Sequence, residues 1–142
     1  MTVWLRRAWF WLAFLAGPLA WVLMVGLGVA RQDGWPDARL LLVIVVAAPI
    51  LEELVFRGAL QAWLFDQPWM RGFIGGGFSF ANVVTSVLFA GFHAISQPPL
   101  WAMSVFIPSL VFGWARDRTQ SVWPGMVLHA WYNLGFVLLF VR

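Results

Sequence analysis

Five long apolar segments, separated by short polar or glycine- and proline-rich stretches, constrain the fold of this chain more than any other feature. A helix needs about 20 mainly apolar residues to cross the hydrocarbon core of a bilayer. The segments that reach or approach this length are residues 8–30, 40–65, 78–95 (with an alternative start at Phe73), 100–115 and 122–141. The sequence therefore predicts an all-α fold, a polytopic transmembrane helical bundle of about five spans in a single membrane domain over residues 1–142.

The composition agrees with a membrane environment. Hydrophobic residues make up 62% of the chain and charged residues 11%, against roughly 25% charged residues in soluble domains. The absence of cysteine excludes disulfides and thiolate metal sites. Apart from Arg57, the nine arginines lie at the edges of the apolar segments and not in one patch, which is typical of membrane topology signals and speaks against a nucleic-acid partner.

The distribution of arginines predicts an orientation, because cytoplasmic loops carry an excess of positive charge. With the N-terminus inside, the inner side holds Arg6, Arg7, Arg71, Arg116 and Arg118. The outer side holds Arg31, Arg39 and Arg142. We therefore expect a multi-pass protein of the cell (inner or plasma) membrane, N-in and C-out. The first segment resembles a signal peptide, but it is longer than the usual 7–15 apolar residues, so we expect it to be retained.

Three charged residues interrupt the second segment: Glu52, Glu53 and Arg57. Each charge at the centre of a membrane helix costs about 2.5–3.5 kcal/mol on insertion scales. Glu53 and Arg57 are four residues apart, so they share a face and can form an ion pair, which can be purely structural. Glu52 lies about 100° away around the helix. Ionisable groups inside a membrane mark functional sites by default.

The third and fifth segments carry the other unusual polar residues. Phe89 and His93 lie on one stripe of the third segment, together with Asn82 and Ser86. We interpret Asn82 and Ser86 as residues that form hydrogen bonds between helices. His129 and Asn133 are four residues apart in the fifth segment, and alone such a pair is more often structural. Both histidines of the chain thus lie in predicted spans. The simplest arrangement is one polar cavity lined by Glu52, His93, His129 and Asn133.

Such a cavity suits hydrolysis of an amide bond. A carboxylate near imidazoles can act as a general base on water, and an imidazole and an asparagine amide can stabilise an oxyanion. A nucleophilic triad is disfavoured, because the chain has no cysteine and no GxSxG serine. One glutamate and two histidines also form a known catalytic zinc set. Glu52, His93 and His129 are therefore alternative metal ligands, although no HExxH motif is present.

Three motifs, in this order and in separate segments, resemble the CPBP family of intramembrane proteases, also called the Abi or CAAX prenyl protease type. They are EExxxR (Glu52, Glu53, Arg57), FxxxH (Phe89, His93) and HxxxN (His129, Asn133). The resemblance covers about residues 49–136 and implies an all-helical membrane endopeptidase. Relative to larger members the chain is short, so the resemblance does not extend to a prenylated CAAX substrate.

The resemblance also implies roles for these residues. Glu52 would activate water with help from His93, and His129 and Asn133 would stabilise the oxyanion. Glu53, Arg57 and Phe89 would shape the site. The implied mechanism is that of a glutamate protease without a metal cofactor, with a zinc-dependent version as the alternative. The implied partners are the lipid bilayer and a protein or peptide substrate with a membrane-embedded or membrane-proximal segment, processed or cleaved at a sorting tail.

Two functions from other classes use the same residues. In a non-catalytic immunity or scaffold protein, the polar cluster would only fix helix packing. In a proton or ion conduit, the glutamate and histidines would form a relay. The HxxxN pair favours the protease, because a relay has little need of a neutral asparagine beside a histidine.

Overall fold

The computed structural model describes residues 3–29, 35–75 and 77–140. It is 81% helical, which confirms the all-α class. The predicted ends of the first and last segments at residues 30 and 141, and the topology residues Arg31 and Arg142, lie outside the described residues. The chain divides into two compact units, one formed by residues 1–51 with 126–142 and the other by residues 52–125.

The secondary-structure elements follow the apolar segments. A 3₁₀ turn (Val3–Arg6) and helix α1 (Ala8–Gly26) come first. Five helical stretches follow, namely α2 (Ala38–Leu41), a first π-helix (Leu42–Ala47), α3 (Ala48–Glu53), a second π-helix (Leu54–Gln61) and α4 (Ala62–Asp66). A 3₁₀ turn (Pro68–Met70) precedes strands β1 (Phe73–Ile74) and β2 (Phe78–Ser79). The remaining helices are α5 (Phe80–His93), α6 (Pro99–Ser104), α7 (Phe106–Thr119) and α8 (Trp123–Phe140).

Only α1, among the helices of the described residues, is both long and apolar enough to cross a membrane, with 19 residues and a mean hydropathy of 1.9. Helix α5 is apolar but has 14 residues. Residues 38–66 form five shorter helical elements, and residues 99–119 form two helices with a break at Val105. The helices thus match the predicted segments, while their arrangement as five spans stays a prediction.

The third segment begins later than its apolar residues indicate. Strands β1 and β2 form a small antiparallel hairpin, in which Phe73 pairs with Ser79 and Ile74 with Phe78. Gly77 closes it with φ +80°, a left-handed conformation that glycine adopts without strain. Helix α5 then starts after Ser79, whose side chain accepts a hydrogen bond from the Asn82 N–H at 3.0 Å. A start of this helix at Phe73 is therefore wrong, because the glycine turn and the Ser79 cap favour a hairpin followed by a helix.

The fourth segment is two helices and not one. Helix α6 ends at Ser104 and α7 begins at Phe106. Pro108 explains the break, since a proline has no N–H to donate to the carbonyl four residues earlier and its ring clashes with that carbonyl. The proline is tolerated because it falls in the first turn of α7, where backbone N–H groups lack helical partners.

In the unit formed by residues 1–51 and 126–142, a proline in α1 leaves a backbone carbonyl open for a hydrogen bond from α8. Pro18 lies inside α1, so the Phe14 carbonyl loses its helical donor. The indole Nε1–H of Trp131 donates to this carbonyl at 3.0 Å, and the rings of Phe14 and Trp131 stack with centroids 4.3 Å apart. The Tyr132 hydroxyl donates to the Ala13 carbonyl at 2.5 Å. Helix α8 is therefore docked on α1 in one orientation.

Candidate active site

Glu53 at the end of α3 and two residues of the second π-helix, Arg57 and Gln61, form a stripe of polar side chains in the unit formed by residues 52–125. Glu53, Arg57 and Gln61 are all fully buried. In an α-helix, residues eight apart such as Glu53 and Gln61 would diverge by about 80°. The i→i+5 bonding of a π-helix widens each turn and brings residues at four-residue spacing closer to one line. Helix geometry therefore lets all three side chains point inward.

Arg57 is held from several directions. Its Nε lies 3.4 Å from Glu53 Oε2, so the ion pair expected from the spacing is confirmed. Its Nη2 donates to the Ser109 carbonyl at 3.0 Å and to the Ser109 hydroxyl at 2.8 Å. The guanidinium also lies over the Phe89 ring, 4.9 Å from the centroid, in cation–π contact. Helices α5 and α7 thus both contact this cation, although α7 carries none of the three motifs.

Gln61 continues the same stripe and binds the C-terminal half of α7. Its Nε2 donates to the Gly113 carbonyl at 3.0 Å and to Asp117 Oδ1 at 2.8 Å. The other Asp117 oxygen accepts from the Ser79 hydroxyl at 2.6 Å. One carboxylate therefore joins the second π-helix, the end of the hairpin and α7.

Asn82 has the interhelical role that its position in α5 predicts. Its Nδ2 donates to the Leu110 carbonyl of α7 at 3.0 Å. Its Oδ1 accepts from the Ser86 hydroxyl at 3.2 Å. Ser86 therefore bonds within its own helix, so only the interpretation of Asn82 as an interhelical residue is confirmed.

Gly113 permits this network, and Gly113→Ala is expected to destabilise the protein by about 1–3 kcal/mol, the usual cost of overpacking. A Cβ at this position would overlap Asn82 Oδ1 and come within 2.8 Å of Gln61 Oε1. Both side chains are fixed by hydrogen bonds, so they cannot move aside without breaking them. Denaturant unfolding in detergent, followed by tryptophan fluorescence, measures the change.

Gly91→Ala is the matched control. Gly91 lies in α5, and a Cβ there would meet no atom within 4 Å. Replacing a helical glycine by alanine should then stabilise the protein by up to about 1 kcal/mol. Equal effects of the two substitutions would contradict the close packing at Gly113.

His93 stands at the C-terminal end of α5 with a defined hydrogen bond. Its Nδ1 lies 3.0 Å from the Phe89 carbonyl. Because a carbonyl oxygen only accepts, Nδ1 carries the proton, and in the neutral ring Nε2 holds the lone pair. The His93 and Phe89 rings also contact, with centroids 4.5 Å apart. The Phe89 ring thus contacts both the Arg57 guanidinium and the His93 imidazole.

Glu52 is half-buried on α3, directly before the buried Glu53. It belongs to the same compact unit as Glu53, Arg57, Phe89 and His93. His129 and Asn133 belong to the other unit. The common cavity of Glu52, His93, His129 and Asn133 therefore stays a prediction.

His129 and Asn133 lie one turn apart on α8. His129 is buried, with 6% of its surface exposed. Asn133 is half-buried, and its Nδ2 donates to the Ile44 carbonyl at 2.9 Å. An asparagine amide has two N–H donors. The hydrogen bond to Ile44 uses one of them and orients the other.

Sequence reasoning missed Gln61, Ser109 and Asp117. Gln61 had a signal, because it continues the four-residue spacing of Glu53 and Arg57. Asp117 lies in the charged stretch after the fourth segment, which the sequence predicts to be a polar connection between two apolar segments. Nothing in the sequence distinguishes Ser109 from other serines, since its role depends on the packing of α7 against the second π-helix.

Comparison with models of protein families identifies the family to which the chain belongs. The model of the Rce1-like family, described as "Type II CAAX prenyl endopeptidase Rce1-like", matches residues 33–135. No curated protein and no solved structure matches the chain. The matched region is more than half of the 142 residues and contains all three motifs. This is a family of membrane proteins and of proteases, and the chain belongs to the Rce1-like type II CAAX prenyl endopeptidase family.

Proposed function

We propose that this protein is an intramembrane endopeptidase that hydrolyses a peptide bond in or near the membrane without a covalent intermediate. The observation that carries the proposal is the family match over residues 33–135, which includes every residue of the EExxxR, FxxxH and HxxxN motifs. The buried Glu53–Arg57 pair, in contact with Phe89, supports it further, because the motif residues of two segments are packed together.

Glu52 is the general base of this mechanism. Its carboxylate takes a proton from water, and the resulting hydroxide attacks the carbonyl carbon of the scissile bond. The protonated Glu52 then gives the proton to the leaving amine, which restores the carboxylate. His93 assists, since the lone pair on its Nε2 can accept a hydrogen bond from the attacking water. Glu53, Arg57 and Phe89 fix the surrounding packing.

His129 and Asn133 stabilise the oxyanion in this proposal. Their assignment comes from the HxxxN motif, and an imidazole and an amide are suitable donors. Removal of one such donor typically costs 10²–10³-fold in rate, about 2.7–4 kcal/mol. The hydrogen bond from Asn133 to Ile44 supports the role, because it leaves the second N–H of the amide available and oriented.

The proposed setting is the cell membrane, with about five spans, the N-terminus inside and the C-terminus outside. The apolar helix α1 and the family's membrane character support this setting. The proposed substrate is a protein or peptide with a membrane-embedded or membrane-proximal segment, cleaved for processing or at a sorting tail. Such a substrate fits a site whose charged residues lie inside an apolar segment.

Comparison of protein termini in cells tests the proposal. Membranes from cells that produce the wild-type protein are compared with membranes containing equal amounts of the Glu52→Gln protein, by quantitative mass spectrometry of new N-termini. We expect new termini within or beside transmembrane segments only with the wild type. Identical termini in the two samples would favour the non-catalytic immunity or scaffold function.

Chelation tests the metal-free mechanism. The proposed mechanism is that of a glutamate protease without a metal cofactor, as the resemblance to the CPBP family implies, so we assign no step to zinc. We expect cleavage by the purified protein to persist after prolonged treatment with EDTA or 1,10-phenanthroline. Complete inhibition that added Zn²⁺ reverses would instead favour the zinc-dependent alternative, in which Glu52, His93 and His129 are the metal ligands.

A further inference from the structure

The carbonyl of Ile44 has lost its helical donor. In the first π-helix, the N–H of Ala48 donates to the Val43 carbonyl, five residues earlier. The same pattern would give the Ile44 carbonyl a donor at position 49, but that residue is Pro49, which has no N–H. Pro49 is fully buried. A carbonyl in this position needs a partner from outside its own helix, because buried backbone groups are almost always paired.

Asn133 supplies that partner. Its Nδ2 donates to the Ile44 carbonyl at 2.9 Å, across 89 positions of the sequence. Ile44, Pro49 and Asn133 all belong to the unit formed by residues 1–51 and 126–142. The missing N–H of a proline in one segment therefore fixes the amide of the HxxxN motif in another.

We propose that Pro49 is a positioning residue for Asn133. By leaving the Ile44 carbonyl open, Pro49 makes that oxygen the acceptor for one Asn133 N–H, and the second N–H is held in the direction needed by the oxyanion. This inference rests on the proposed hydrolysis. The planar amide has a fixed angle between its two N–H bonds, so anchoring one N–H restricts the directions that the other can take.

Pro49→Ala separates this role from simple packing. Alanine restores an N–H at position 49, which competes with Asn133 for the Ile44 carbonyl. The substitution also removes a proline from a helical run, so it should not impair helix formation. Pro124→Ala is the matched control, because Pro124 lies in the first turn of α8, where a missing N–H has no consequence.

Nuclear magnetic resonance of the full-length protein in detergent micelles tests the hydrogen bond without any activity. The chain has two asparagines, Asn82 and Asn133, so selective ¹⁵N-asparagine labelling gives two side-chain amide pairs, assigned with Asn133→Ala. We expect Pro49→Ala to move one Asn133 amide proton upfield, toward the position of an unbonded amide. The Asn82 pair should stay unchanged, and Pro124→Ala should move neither pair.

Kinetics with a substrate identified from the new termini tests the positioning. We expect Pro49→Ala to lower kcat about 10- to 100-fold with little change in KM, since a small misplacement of a catalytic group can cost about 10²-fold. The double variant Pro49→Ala/Asn133→Ala should be no slower than Asn133→Ala alone. Pro124→Ala should retain the wild-type kcat.

The outcomes separate this inference from the proposed function. An unchanged Asn133 resonance in Pro49→Ala would overturn the hydrogen-bond inference, whether or not the protein is a protease. A moved resonance with an unchanged kcat would overturn the positioning role and leave the protease intact. If the wild type cleaves nothing, the proposed function and the positioning role fail together, and the resonance then decides only the hydrogen bond.

Discussion

Glu52→Gln is expected to lower the rate of peptide-bond cleavage by at least about 10²–10⁴-fold, the usual contribution of a general base. Glutamine has nearly the same shape as glutamate but cannot take a proton from water. Glu52 is half-buried, and the substitution keeps its volume. The protein should therefore accumulate in membranes at the wild-type level. Cleavage of a labelled substrate by purified protein in detergent or nanodiscs measures the loss.

Asp66→Asn is the control for this experiment. Asp66 is an exposed carboxylate at the C-terminal end of α4 and carries none of the motifs. Its substitution removes one negative charge without touching the proposed site, so the rate should stay within about twofold of wild type, as for most surface changes. A Glu52→Gln protein that cleaves at the wild-type rate would remove Glu52 from the mechanism.

Arg57→Met is expected to destabilise the protein by about 3–5 kcal/mol, because it leaves the buried Glu53 without its cation. Both side chains of the pair are fully buried. The substitution also removes the donor of two hydrogen bonds to Ser109. Denaturant unfolding in detergent, followed by tryptophan fluorescence, gives the free energy of unfolding, and membrane accumulation should fall in parallel.

The double variant Glu53→Gln/Arg57→Met distinguishes loss of the pair from loss of volume. With the carboxylate also neutral, no uncompensated charge remains, so the double variant should be more stable than Arg57→Met alone. Arg39→Met is the surface control, because Arg39 is exposed at the start of the second segment, and its stability should stay within about 0.5 kcal/mol of wild type. An Arg57→Met protein as stable as wild type would show that the pair does not stabilise the fold.

The helices could be predicted from the sequence because apolar length is a strong signal. Helices α1, α5 and α8 lie within the predicted segments, and α8 begins one residue before Pro124 as expected for a proline in a first turn. The hairpin before α5 and the break between α6 and α7 were missed. Both depend on local backbone chemistry, namely the glycine turn ending at Gly77 and the absent N–H of Pro108, which apolar counting does not detect.

The ion pair of the candidate site could also be predicted, since a four-residue spacing determines whether Glu53 and Arg57 meet. The hydrogen-bond partners on α7 could not be predicted. Ser109 meets Arg57, and Asp117 meets Gln61, only because helices distant in sequence pack together. The two π-helices were invisible for a different reason. A wider helical turn leaves no mark in hydrophobic periodicity when almost every neighbouring residue is apolar.

The contact between Trp131 and Phe14 has a consequence for transplanting the HxxxN motif into another scaffold. Trp131 and Asn133 are two positions apart on α8 and point about 200° apart around its axis. Each donates to a carbonyl that a proline has released, Phe14 by Pro18 and Ile44 by Pro49. Hydrogen bonds on opposite sides of α8 thus fix its rotation. The helix cannot turn about its long axis without losing at least one of these two hydrogen bonds. A transplanted HxxxN motif would therefore need counterparts of both Pro18 and Pro49 to keep the same orientation of its side chains.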